Sequence, residues 1–177
     1  VQNEPVLNAS ANNPIVCING VSVISTTITG GSGSFVYQWQ ISPDGTSNWN
    51  NVSSGGNGPT YNVPTSTAGT FYYRIILTDT ANGCDDPAPV VVLIEVESQP
   101  TVSISATNTN LCIGGSSTIS SVVSNGSGFF TYQWQSSADA TSWANITNQG
   151  NGVSYNVPTG TPNSTYYRVL VTDASNG

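Results

Sequence analysis

The sequence predicts an all-β chain made of two tandem antiparallel β-sandwiches, the second without its last strand within these 177 residues. Three observations predict it: a long internal repeat, a hydrophobic period of two, and turn-forming residues at regular spacing. The repeat is the strongest. Cys17 and Cys112 lie 95 positions apart, as do Trp39 and Trp134. Tyr61-Asn62-Val63-Pro64-Thr65 returns as Tyr155-Asn156-Val157-Pro158-Thr159, and Tyr72-Tyr73-Arg74 as Tyr166-Tyr167-Arg168, both shifted by 94. The lost residue falls between the Trp pairs: Trp39 to Trp49 is 10 positions, Trp134 to Trp143 is 9. Solenoid units run roughly 20–50 residues, so this period is a whole small domain.

The elements follow in order. Strands are expected near 5–10, 14–18, 21–29, 34–41, 60–63, 70–79 and 89–97, and again about 95 residues later without the last. Within 34–41, Phe35, Tyr37, Trp39 and Ile41 share one face, and Val36, Gln38 and Gln40 the other. Within 70–79, Phe71, Tyr73, Ile75 and Leu77 alternate with Tyr72, Arg74, Ile76 and Thr78. This is the pattern of half-buried strands. The breaks between runs are Gly30-Gly31-Ser32-Gly33, Pro43-Asp44-Gly45, Gly55-Gly56-Asn57-Gly58 and Ala81-Asn82-Gly83, all turn chemistry. Nothing reads as a long helix. Trp39, Tyr73, Trp134 and Tyr167 are thereby assigned to the cores.

The repeat also sets boundaries. Residues 1–4 match the end of the run at 96–99 and read as the tail of a preceding module. Module one is 5–98, the linker 99–100, and module two 101–177. Asn176-Gly177 matches Asn82-Gly83, after which module one continues with Cys84 and a final apolar strand. The expectation is a window from a longer repetitive protein. The missing strand would come from continuation of the same polypeptide or from a neighbouring subunit, with continuation favoured.

Composition narrows the function classes. There is no Lys, His or Met; Arg74 and Arg168 are the only cations, charged residues are 6%, and net charge is −7. Nucleic acid binding is disfavoured, because phosphate neutralisation needs Lys and Arg. Without His, neither a Ser-His-Asp set nor His-based metal ligation is possible. Gly-rich turns lead into strands, not helix N-termini, so no phosphate loop appears. No run approaches the roughly 20 apolar residues that span a bilayer. No catalytic residue, metal or cofactor is expected. Asp79, Asp85 and Asp86 flank one loop, but they form no DxDxDG calcium loop.

The cysteine count is odd. The simplest reading pairs Cys17 with Cys84 and leaves Cys112 unpaired in this window, which implies an oxidising compartment. The alternatives for Cys112 are a free thiol or an intermolecular bridge.

Each module runs Cys, a Tyr-Gln-Trp-Gln strand, a Ser-rich loop with Trp, Tyr-x-Val-Pro, Tyr-Tyr-Arg and Thr-Asp; module one adds Asn-Gly-Cys. This order resembles the immunoglobulin-like and PKD-like tandem repeats of large secreted or cell-surface proteins of Bacteroidetes-type bacteria, adhesins included. The resemblance implies an extracellular immunoglobulin-like sandwich with a Cys–Cys staple, mapped onto Cys17 and Cys84. It also makes Thr80, in Asp79-Thr80-Ala81, a candidate for O-glycosylation.

Trp49 and Trp143 lie in polar loops, where an exposed indole could stack on a sugar and a folded-back one would cover a sandwich edge. Arg74 and Arg168 need fixed partners: a carboxylate such as Asp79 or Asp44, or an aromatic face such as Trp49. The function expected is a non-catalytic structural or adhesive repeat of an extracellular, surface or filament protein. Its partners would be other copies or neighbouring modules, and possibly surface glycans. The alternative is a glycan-binding accessory module of a secreted enzyme, acting through Trp49 and Trp143.

Overall fold

The computed structural model describes residues 3–80 and 85–174. The chain folds as two units that divide between Ser98 and Gln99. Unit one carries β1 (Val6–Ala11), β2 (Ile15–Cys17), β3 (Val23–Thr29), β4 (Phe35–Ser42), β5 (Asn50–Asn51), β6 (Thr60–Asn62), β7 (Gly69–Asp79) and β8 (Val90–Glu97). Unit two carries β9 (Thr101–Ala106), β10 (Thr118–Ser124), β11 (Phe130–Ser137), β12 (Ala144–Asn145), β13 (Ser154–Asn156) and β14 (Tyr166–Asp173).

In unit one, a sheet of order β1-β3-β6 packs on a sheet of order β2-β8-β7-β4-β5. The alternation read from the sequence sets the packing. Trp39, Tyr73, Ile75 and Leu77 point inward from β4 and β7, and meet Leu7, Ile24 and Tyr61 from the other sheet. The Trp39–Ile75 and Tyr37–Leu77 register pairs hold the two central strands in phase. Val92, Ile94 and Val96 of β8 close the core on one side, and Val16 of β2 lies beyond them. This is an immunoglobulin-like sandwich. Unit two repeats it as sheets β13-β10-β9 and β12-β11-β14, with nothing in the place of β8 among the described residues.

Three details differ from the sequence reading. The short β5 and β12 were not expected; each adds two residues beside the central strand after its Trp loop. The sandwich is not wholly antiparallel, because β2 runs parallel to β8, with Cys17 level with Glu97. And no strand forms at 109–113, the expected counterpart of β2. The reason is pairing: among the described strands β2 pairs with β8, and the segment at 109–113 has no such strand beside it to make a ladder.

Turn geometry repeats even where the residue does not. Left-handed backbone occurs at Gly30 and its equivalent Asn125, at Gly45 and Ala140, and at Gly55 and Gln149. Asn48, also left-handed with φ 52°, lies between Gly45 and Trp49, where unit one has its extra residue. The loop absorbs that residue in a conformation Asn tolerates.

Candidate functional site

The repeated polar residues form three small constellations, each built the same way in both units. The first surrounds the cations. Register places Arg74 of β7 opposite Gln40 of β4, and Gln40 opposite Asn51 of β5. The Arg74 Nε donates to Gln40 Oε1 at 2.7 Å, and Gln40 Nε2 donates to Asn51 Oδ1 at 2.8 Å. The guanidinium lies 4.6 Å from the centre of the Trp49 ring. In unit two, Arg168 donates to Gln135 at 2.6 Å, Gln135 to Asn145 at 2.6 Å, and the cation sits 4.4 Å from the Trp143 centroid. Both Trp rings are half-buried. Each Arg thus uses its flat cation on an aromatic face and its Nε–H on an amide. Trp49 was one of the partners the sequence offered for Arg74. Gln40 and Gln135 were missed, although the twice-written Tyr-Gln-Trp-Gln carried the signal.

The second constellation closes the strand end. Asp79 is buried and accepts from the Ser32 amide at 2.7 Å and from the Ser32 hydroxyl. Asp173 does the same with Ser127, whose amide lies at 2.7 Å. The amide of Asp79 in turn donates to Asp86 Oδ1 at 2.8 Å. The Asp79 and Asp86 carboxylates are thus engaged with backbone and hydroxyl donors, and no group of three or more potential metal ligands occurs among the described residues.

The third is a carboxylate-nucleated turn before each Trp loop. Asp44 accepts from the Ser47 hydroxyl and amide, the Thr46 amide and the Ser42 hydroxyl. Those donors, Ser47 first, hold its carboxyl well below the ordinary range. Asp139 repeats this with Ser142, Thr141 and Ser137.

The remaining sequence candidates fall outside these groups. Trp39 and Trp134 are fully buried, and each indole N–H donates to a loop carbonyl, Gly58 at 3.0 Å and Gly152 at 2.9 Å. Tyr73 is buried and tilted against Tyr61 at 5.7 Å; burial, with Tyr61 adding to it, pushes its hydroxyl up to about 12. Tyr167 is only half-buried; burial, with Tyr155 adding to it, raises its hydroxyl above the ordinary value. Thr80 is exposed, with its hydroxyl donating to the Ser34 carbonyl at 3.0 Å.

Cys84 lies outside the described residues, so its expected pairing with Cys17 does too. Cys17 is buried at the end of β2. Cys112 is exposed.

A family profile described as "Domain of unknown function (DUF8696)" matches twice, at residues 7–98 and 101–177. The chain belongs to that family. The two matches meet close to the division of the fold after Ser98. No curated protein matches the sequence. Among solved structures, the chain is similar to the fibronectin(III)-like modules of Clostridium thermocellum CbhA. That likeness has 12% identity and a TM-score of 0.38, over 96% of this chain and 87% of that one. It is also similar to the four N-terminal Ig domains of Dscam1 isoform 6.9 (11% identity, TM-score 0.41, 99% of this chain and 44% of that one). A third is the mouse nectin-like molecule 4 ectodomain (13%, TM-score 0.37, 98% and 65%). The chain thus spans less than two thirds of the last two.

Unit two has a groove of about 420 Å³, lined by Leu111, Cys112, Ile113, Ile119, Val157 and Tyr167 among others. Of β14 only Tyr167 lines it; the other lining residues lie within 106–119 and 157–165.

Proposed function

We propose that this chain is a non-catalytic structural repeat of an extracellular or cell-surface protein, acting as a spacer or adhesive module. One observation carries the reading: the polar groups that both copies retain are spent on the fold itself. Arg on Trp and Gln, Asp on Ser, and Asp in the turn recur with nearly the same distances. What the duplication preserves is an architecture. The scarcity of charge fits an exterior module, since few surface pairs remain for salt to screen. The glycan-binding alternative needs an open indole face, and a guanidinium stands over each loop Trp.

The test is localisation together with ligand screening. Antibodies to the chain should label intact, unpermeabilised cells of the source, and protease applied to such cells should remove the label. A glycan array should give no signal that Trp49→Ala and Trp143→Ala abolish. Label found only after permeabilisation would sink the extracellular assignment. Trp-dependent glycan binding would replace the spacer reading with the alternative.

A further inference from the structure

We infer that unit one carries a self-association surface on the outer face of its β2-β8-β7-β4-β5 sheet, and that its partner is the same face of a second copy of this chain. The contact gives the adhesive module proposed above its partner, and rests on that reading for its biological setting. The two outer faces of unit one differ in chemistry. On the β1-β3-β6 side, register pairs Asn8 with Thr27 and Ser10 with Ser25, a small and polar surface. On the other side, Val36 of β4 and Val91 and Leu93 of β8 are 55%, 48% and 42% exposed. Tyr72 and Ile76 of β7, both half-buried, lie between them. Register ties these residues into one surface: Tyr72 pairs with Leu93, Arg74 with Val91, Gln38 with Ile76, and Val36 with Thr78. Aliphatic side chains on three adjacent strands form a patch, whereas single exposed residues are ordinary.

Charge makes this face complementary to itself. Arg74 is the only cationic side chain of unit one. It spends its Nε–H on Gln40 and its flat face on Trp49, which draws it to the β5 side of the sheet. A guanidinium has five N–H donors, so its outer fork remains for a carboxylate. Glu95 lies on the same face at the opposite corner. It pairs with Thr70, four residues along β7 from Arg74, or about 13 Å of strand. Within one copy the two charges are held apart, with Tyr72 and Leu93 between them. A two-fold axis through the Tyr72–Leu93 pair brings Arg74 of each copy to Glu95 of the other and covers the aliphatic residues.

Size sets the strength. Five strands about 4.8 Å apart, with about 3.3 Å per residue, make a face of roughly 20 Å by 25 Å. Two such faces bury about 1,000 Å² in total, the lower end for a specific contact. The association is weak and concentration-dependent, not a permanent dimer.

Sedimentation velocity on the 177-residue chain tests this. The weight-average sedimentation coefficient should rise between about 5 μM and about 500 μM. Leu93→Asp should remove the rise, and Thr27→Asp, on the opposite outer face, should leave it. Arg74→Glu and Glu95→Arg should each weaken association by about tenfold or more. An equimolar mixture of those two variants should restore it, because every Glu then meets an Arg across the interface. Circular dichroism melts check that each variant is folded; if Arg74→Glu is not, Leu93→Asp and Glu95→Arg still decide. A monomer at every concentration would overturn the proposal. So would association that survives Leu93→Asp, which places the contact elsewhere on the chain, or an equal loss from Thr27→Asp. None of these results bears on the labelling of intact cells, so the adhesive reading stands or falls separately.

Discussion

At the scale of single residues, the two arginines show how a nearly uncharged chain uses the charges it has. Arg74 contributes through shape as much as charge: a flat cation over Trp49 and one directed N–H to Gln40. Lysine keeps the charge and loses both contacts. Arg74→Lys should cost unit one about 1 kcal/mol. Chemical denaturation followed by circular dichroism would show it, with a shift in Trp49 fluorescence. A variant as stable as the parent would mean the stack is incidental. Tyr73 gives a pH-dependent counterpart. Its hydroxyl is pushed up to about 12 by burial and by Tyr61, against about 10 in an unfolded chain. The folded state therefore keeps the proton longer. The stability this represents is complete below about pH 10, and it is lost as pH rises through about 12. Tyr73→Phe should flatten the alkaline fall in unit one's stability. An unchanged alkaline profile would show that another group controls it. Much at this scale was legible in sequence. Trp39, Trp134 and Tyr73 announced themselves by alternation, because a period of two maps directly onto one face. Tyr167 did not behave as its twin does, because its burial depends on a neighbouring strand that its own alternation does not encode.

At the scale of elements, turns are held by backbone geometry more strictly than by residue type. Gly45 has φ 72°, and a Cβ placed there would meet Tyr72 Cδ1 at 2.5 Å. Its equivalent Ala140 adopts φ 59° with a Cβ already present. An L-residue in that region costs roughly 1–2 kcal/mol that glycine avoids. Ala140→Gly should therefore stabilise unit two by about 1 kcal/mol, and Gly45→Ala should destabilise unit one by at least as much. Thermal melts of the two variants check both signs at once, and a destabilising Ala140→Gly would refute the strain argument. The same reasoning explains which elements the sequence hid. Long strands with alternating aromatics were plain, to within one or two residues at their ends. β5 and β12 were not, since two Asn-rich residues carry no period. The parallel direction of β2 was hidden too, because strand direction is a property of the partner. So was the absence of a strand around Cys112: its residues read as strand, but a ladder needs a second member.

At the scale of the whole molecule, the two units share a sequence pattern and differ in closure. In unit one, Val92, Ile94 and Val96 are buried by β8 and in turn cover Val16, Leu7 and Tyr73. Burying three such side chains is worth roughly 5–9 kcal/mol before the entropy of ordering the strand is subtracted. A domain's whole stability is about 5–15 kcal/mol, so even the net remainder is a large fraction. Among the described residues unit two has no strand paired to β14 on that side, and Leu111 and Val102 are in contact with solvent. The 177-residue chain should therefore unfold in two steps, unit two first, with exchange in β14 faster than in β7 under the same conditions. Calorimetry should resolve two transitions, and segment-resolved exchange should assign the lower one to residues 101–174. Mutations confined to unit one should move only the upper transition. A single cooperative transition, or equal protection of β7 and β14 in a monomer, would show that a sandwich of this family closes its core without the strand in β8's place. The exposure of Leu111 would then be a feature of the stable fold.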